Sequence, residues 1–127
     1  MAPRLGMIGV VVGDMARSLR FYRQLGIVIP EESDHLTHVQ IEVADGLVFI
    51  WNSTFVPTDD PERIAPAGGY RVLIEFFFES EEAVAAKYDE LIGLGYHGYR
   101  APGLTAVGAY LAMVDDPDGN TLLLTAD

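Results

Sequence analysis

There is no cysteine in the 127 residues, which removes disulfides, thiolate nucleophiles and thiolate metal sites together. Cations are nearly as scarce. Eight Lys plus Arg stand against nineteen Asp plus Glu, a net charge of -11, and a field of that sign repels phosphate backbones and anionic membranes. Nucleic acid and membrane surfaces are therefore not expected partners. No apolar run comes near the roughly 18 residues that a membrane span requires. The apolar stretch from Met7 to Val12 is broken at Gly13 and Asp14 and has only Arg4 as a basic flank, so it does not read as a signal peptide and a cytoplasmic address is expected. A phosphate-binding glycine loop is also missing: Gly68-Gly69 and the glycines from Gly93 to Gly98 read as turns at element ends.

What remains is a chain of globular composition, 50% hydrophobic and 21% charged, of a length that suits one domain with one core. Met7 to Val12 is short and rich in β-branched residues, which predicts a buried strand. Asp14 is placed to cap a helix carrying Met15, Leu19, Tyr22 and Leu25 on one face, with Gly26 to end it. Strands are expected at Ile27 to Pro30, Thr37 to Val43 and Leu47 to Asn52, the last two joined at Asp45-Gly46. Residues 57–69 hold Pro57, Pro61 and Pro66 and end in Gly-Gly, so they read as a linker. The same order then returns. Val72 to Phe78 is an apolar strand, Ser80 with Glu81 and Glu82 opens a helix, and Val84, Tyr88, Leu91 and Ile92 form its apolar stripe. Further strands are expected at Gly98 to Arg100, Val107 to Val114 and Thr121 to Thr125, with a polar turn over Asp116 to Asn120. A repeated element order points to internal duplication: one domain over 1–127, with module one at 1–56, the linker at 57–69 and module two at 70–127.

Two stretches carry a family likeness. Val12-Gly-Asp-Met-Ala-Arg-Ser-Leu-Arg-Phe-Tyr22 with Leu25-Gly26, and Asp116-Pro-Asp-Gly-Asn120, resemble the signatures of the glyoxalase/bleomycin-resistance/dioxygenase (vicinal-oxygen-chelate) superfamily. The resemblance runs over essentially the whole chain. It implies an α+β fold of two βαβββ modules forming an open curved sheet around a cleft, usually in a homodimer. Catalytic members hold a divalent metal through His and Glu on the strands, an open site that polarises neighbouring substrate oxygens. The corresponding positions here fall on Met7, Val48, Leu73 and Leu123, none of which offers a hard donor, so neither a metal nor another cofactor is expected. Nor do the histidines supply a substitute. His35 and His38 are three apart in or beside a strand and point to opposite faces if both belong to it, and His97 shows no carboxylate spaced to partner it.

Strand alternation then places Gly9, Val11, Glu75, Phe77, Thr121 and Thr125 on the side of the cleft, with Ile8, Val10, Val12, Ile74, Phe76, Phe78, Leu122 and Leu124 facing the helices. The result is an apolar receptacle with one acid, a usual setting for an organic ligand. The chain is most similar to the mitomycin- and bleomycin-resistance type of drug-binding protein, through Tyr22 to Pro30, His38, Trp51 and Pro66-Ala-Gly-Gly69. That resemblance implies His38 as a ring stacked on the drug. Near Gly103 and Val107 the mitomycin branch carries tryptophans that this chain does not have, which favours a ligand of another shape. Phe55, Tyr99 and Tyr110 are candidate rim aromatics. The expected site is thus His38, Trp51, Phe55, Glu75, Phe77, Tyr99, Val107 and Tyr110. Its expected task is metal-free sequestration of an aromatic hydrophobic natural product, with no catalytic residue. Two alternatives stay open: a metal-dependent lyase, isomerase or extradiol dioxygenase, and a cofactor-free biosynthetic isomerase or cyclase using Glu75 or His38 as base.

Overall fold

The computed structural model describes residues 5–53, 73–106 and 108–126. They fall into two compact units, divided between Ile64 and Ala65. The first holds β1 (Met7–Val11), α1 (Met15–Leu25), a 3-10 turn (Glu31–His35), β2 (His38–Ala44) and β3 (Leu47–Asn52). The second holds β4 (Ile74–Phe78), α2 (Glu81–Gly93), β5 (His97–Leu104), β6 (Tyr110–Asp115) and β7 (Thr121–Ala126). Among the described residues, two α-helices and seven strands in two mixed sheets make the fold α+β. The linker expected at 57–69 lies outside the described residues, as do Phe55 and Val107.

In the first unit the strand order is β1-β3-β2, with β1 parallel and β2 antiparallel to β3. Helix α1 starts where the Asp14 carboxylate accepts from the Arg17 amide at 3.0 Å, satisfying a donor that no helical carbonyl reaches. It ends at Gly26, whose φ of 130° a side chain would resist. Its buried face, with Met15, Leu19, Tyr22 and Leu25, is the expected one. That face meets Phe49 and Trp51: the Tyr22 ring lies 5.4 Å from Phe49 and 5.3 Å from Trp51, centroid to centroid. Large aromatic rings dominate such a core because each removes some 150–250 Å² from water.

One expected strand is not there. Ile27 to Pro30 forms no ladder, and a 3-10 turn follows it. The cause is a rival claim on its backbone. The Ile27 amide is spent on the Tyr22 carbonyl at 3.0 Å, Pro30 has no amide hydrogen to give, and the Arg23 guanidinium takes the Ile29 and Pro30 carbonyls at 2.9 and 2.7 Å. Asp34 holds the same guanidinium at 2.9 Å. The described first unit is therefore βαββ, and only the second is βαβββ.

The second sheet runs β4-β7-β6-β5, with β4 parallel to β7 and the other pairs antiparallel. Ser80 caps α2 through the Ala83 amide at 3.0 Å, and Val84 and Leu91 are fully buried. The face that α2 covers is identified by Gly98: a Cβ there would collide with the Tyr88 hydroxyl and lie 2.8 Å from Ile92 Cδ1, both on α2. Gly98 is opposite Val114, Val114 opposite Leu122, and Leu122 opposite Ile74. These residues, with Ala112, Leu124 and Phe76, share the helix side. The turn from β6 to β7 is built by Asp116, whose carboxylate accepts from the amides of Asp118 and Asn120 and from the Asn120 side chain at 2.8–2.9 Å.

Candidate functional site

The open face of the first sheet can be read row by row from its register. Met7 lies beside Val48 and Val48 beside Glu42; Gly9 beside Ile50 and Ile50 beside Gln40; Asn52 stands between Val11 and His38. Aliphatic and thioether groups occupy β1 and β3 as far as Ile50, and polar groups occupy β2 and the Asn52 end of β3. A groove of about 350 Å³ opens here, lined by Met7, Gly9, Val10, Val11, His38, Ile50 and Asn52. Met7 and Val11 are about half exposed, so apolar surface of the kind usually removed from water stays accessible. At the polar end the Asn52 amide sits 3.1 Å from His38 Nδ1.

Trp51 does not belong to this face. It is fully buried on the helix side, its ring 4.6 Å from Phe49 and backed by Tyr22, so the expectation that it lines the site is corrected: β3 alternates, and Trp51 has the parity of Phe49 rather than of Ile50.

On the second sheet, the side away from α2 carries Glu75 beside Leu123, Leu123 beside Met113, and Met113 beside Arg100. In the next row Phe77 pairs with Thr125, and Thr125 with Leu111. Phe77 is 69% exposed, a large ring that gains nothing by its position unless something covers it. Thr125 donates to Glu75 at 3.0 Å, fixing the acid that interrupts this apolar strand. Tyr110 has the parity of Ala112 and Val114 and so joins the helix side; it does not stand with Glu75 and Phe77, contrary to expectation. Tyr99 occupies the irregular step between Gly98 and Arg100 and is 55% exposed.

The family's metal was tested against these donors. Met7 and Val48 are direct neighbours, but the second expected pair is not formed: Leu73 lies just before β4, and the residue beside Leu123 is Glu75. Hydrocarbon and thioether fill the four expected positions, Glu75 brings a single carboxylate, and a hard divalent ion needs several oxygen or imidazole donors. The residues do not fit it. Among the described residues no three His, Asp or Glu side chains converge as a metal site would require.

Two polar features were not foreseen. Asn52, the partner of His38, becomes visible only through cross-strand register. His97 does have a carboxylate: its Nδ1 lies 2.8 Å from Asp115 Oδ2, across the β5–β6 ladder.

Comparison with known proteins agrees with this architecture. The glyoxalase/bleomycin resistance protein/dioxygenase superfamily model matches residues 4–124, and the chain belongs to that superfamily. No curated protein matches the sequence. Among solved structures, it is similar to a hypothetical protein from S. aureus, with a TM-score of 0.78, 20% identity, and coverage of 100% of this chain and 95% of that one. A glyoxalase/bleomycin resistance protein/dioxygenase family enzyme from Burkholderia phytofirmans PsJN gives 0.78 and 19%, over 98% of each chain. A lactoylglutathione lyase from Agrobacterium tumefaciens gives 0.64 and 14%, over 98% of this chain and 94% of that one. Likeness at such identities is likeness of fold.

Proposed function

We propose that the protein binds a planar, hydrophobic natural product and holds it without turnover, as drug-sequestering proteins of the mitomycin- and bleomycin-resistance type do. The observation that carries this reading is the groove on β1 and β3, where thioether and alkyl groups stand at positions that catalytic relatives fill with metal ligands. Apolar lining with His38 and Asn52 at one end suits a ligand with an aromatic body and one polar edge. Covering about 200 Å² of apolar surface contributes about 5 kcal/mol before association costs. In this reading the protein works as a cytoplasmic homodimer, and Glu75 and Phe77 offer a second contact surface with a negative charge.

Calorimetric titration with mitomycin, bleomycin and a panel of quinone and glycopeptide antibiotics tests the proposal. At least one is expected to bind in the micromolar range. A panel that yields nothing tighter than millimolar overturns it. Metal analysis of the purified protein addresses the enzymatic alternative: stoichiometric Zn, Ni, Mn or Fe would favour a lyase, isomerase or dioxygenase instead.

A further inference from the structure

On the second sheet, the side away from α2 holds a polar chain that ligand binding does not call for. His97 and Asp115 face each other across β5 and β6, and Asp115 and Thr121 across β6 and β7. Both carboxylate oxygens of Asp115 are engaged: Thr121 Oγ1 donates to Oδ1 at 2.6 Å, and His97 Nδ1 lies 2.8 Å from Oδ2. A carboxylate only accepts, so His97 Nδ1 is the protonated ring nitrogen and Nε2 carries the lone pair of the neutral ring. The Asp115 side chain is 18% exposed and that of His97 72%. The carboxylate is thus set into the sheet while the imidazole stands in solvent. A pair made only to close the sheet edge gains little from so exposed a partner.

The β5 irregularity adds a second group. Gly98 is opposite Val114 and Arg100 opposite Met113, so Tyr99 is an extra residue in the strand. In a regular strand residues 97 and 100 would have opposite parity. The bulge rephases them, and both face the row parity of Asp115 and Met113. Bulges re-aim side chains in this way beside active sites. Asp115 and Met113 are two residues apart on β6, so the His97 and Arg100 rows are about 7 Å apart, within the span of an arginine side chain.

We propose that His97 is a general base, oriented by Asp115 and Thr121 as positioning residues, and that Arg100 meets the negative charge formed when a compact carbon acid is deprotonated here. The proton leaves a C–H bond for His97 Nε2, the electron pair passes through the substrate to an oxygen that Arg100 stabilises, and Asp115 stabilises the imidazolium. Nothing is oxidised or reduced from outside, and the proton returns to product or solvent. The inference is independent of drug sequestration, because it rests on His97, Arg100, Asp115 and Thr121, none of which that reading uses.

The probe is 5-nitrobenzisoxazole, whose deprotonation at C3 breaks the N–O bond and forms a nitrile and a coloured phenolate, with no co-reactant. The full-length protein is expected to open it at least about tenfold faster than imidazole at equal concentration, and His97→Gln to lose about 100-fold, to the buffer rate. Asp115→Asn should lower the rate about tenfold and remove the Nδ1–H tautomer signature of His97 from ¹⁵N spectra, and Arg100→Gln should cut the rate several-fold. Because the His97 side chain is largely exposed, His97→Gln is expected to keep the wild-type melting temperature. A wild-type rate no greater than that of imidazole overturns the proposal, and so does a His97→Gln protein that retains the activity. An Asp115→Asn protein with unchanged rate and tautomer removes Asp115 from it.

Discussion

Asp116 is 4% exposed, and its carboxylate accepts from the Asp118 and Asn120 amides and from the Asn120 side chain. Removing a charged acceptor strands those donors, which costs more than an average hydrogen bond returns. Asp116→Ala is therefore expected to lose about 2–3 kcal/mol in urea unfolding. Trp51 is the opposite case: among the described residues its buried indole nitrogen meets no hydrogen-bond partner, so what the ring contributes there is packing. Trp51→Phe should cost less than the roughly 3–5 kcal/mol of truncating an aromatic to alanine, and it should leave ligand affinity unchanged, since the ring lies behind the sheet. His38→Ala is expected to weaken ligand binding about tenfold, the loss of one stacked ring and its hydrogen bond, without lowering the melting temperature; calorimetry on the two variants side by side separates a core residue from a contact residue. Of these residues, Asp116 was legible in the chain as a turn former, because the Asx hydrogen bonds are local. The partnership of His97 and Asp115 was not, because it depends on two strands meeting in one register.

The glycine at position 98 lets α2 lie on β5. With the Tyr88 hydroxyl and Ile92 where a Cβ would go, Gly98→Ala forces the helix away from the strand and should destabilise by about 1–3 kcal/mol, read as a lowered urea midpoint with unchanged slope. Both helices and their caps were readable in advance, since capping and the 3.6-residue period are local signals. The strand expected at Ile27 to Pro30 was misread because Arg23, several residues earlier, captures its carbonyls, which hydrophobicity alone does not reveal. Register was also beyond local reading. A plain hairpin about Asp45-Gly46 with Ala44 opposite Leu47 would set Gln40 against Trp51. The bulge between Glu42 and Ala44 shifts the ladder by one, so that Val39 faces Trp51 and Ile41 faces Phe49. Burial of Val39, Phe49 and Trp51, with Ile41 partly covered, outweighs one irregular step.

The whole chain carries a net charge of -11, and exposed charge acts over roughly a Debye length, about 10 Å at 0.1 M salt. A cationic aromatic ligand should therefore bind several-fold more tightly at 10 mM than at 150 mM salt, while a neutral analogue of the same shape should change little. Equal salt dependence of the two ligands would show that the acidic surface has no part in recognition. Among the described residues no helix is long and apolar enough to cross a membrane, as the absence of apolar runs implied. Element order, apart from Ile27 to Pro30, was legible at this scale because it is a property of pattern. The lining of the groove was not, because Asn52 and Ile50 join His38 only through pairing.

With Ile29 and Pro30 tethered by a guanidinium, β2 is left as the terminal strand of its described sheet, and Ile27 and Val28 merely flank it across a gap of about 300 Å³. Such a border invites stacking of one molecule onto the next, and the exposed acid at Glu42 together with the local kink is what discourages it. Replacing that acid with valine is expected to shorten the lag before thioflavin-positive fibrils form, because the open border would then present one charge fewer to a second strand.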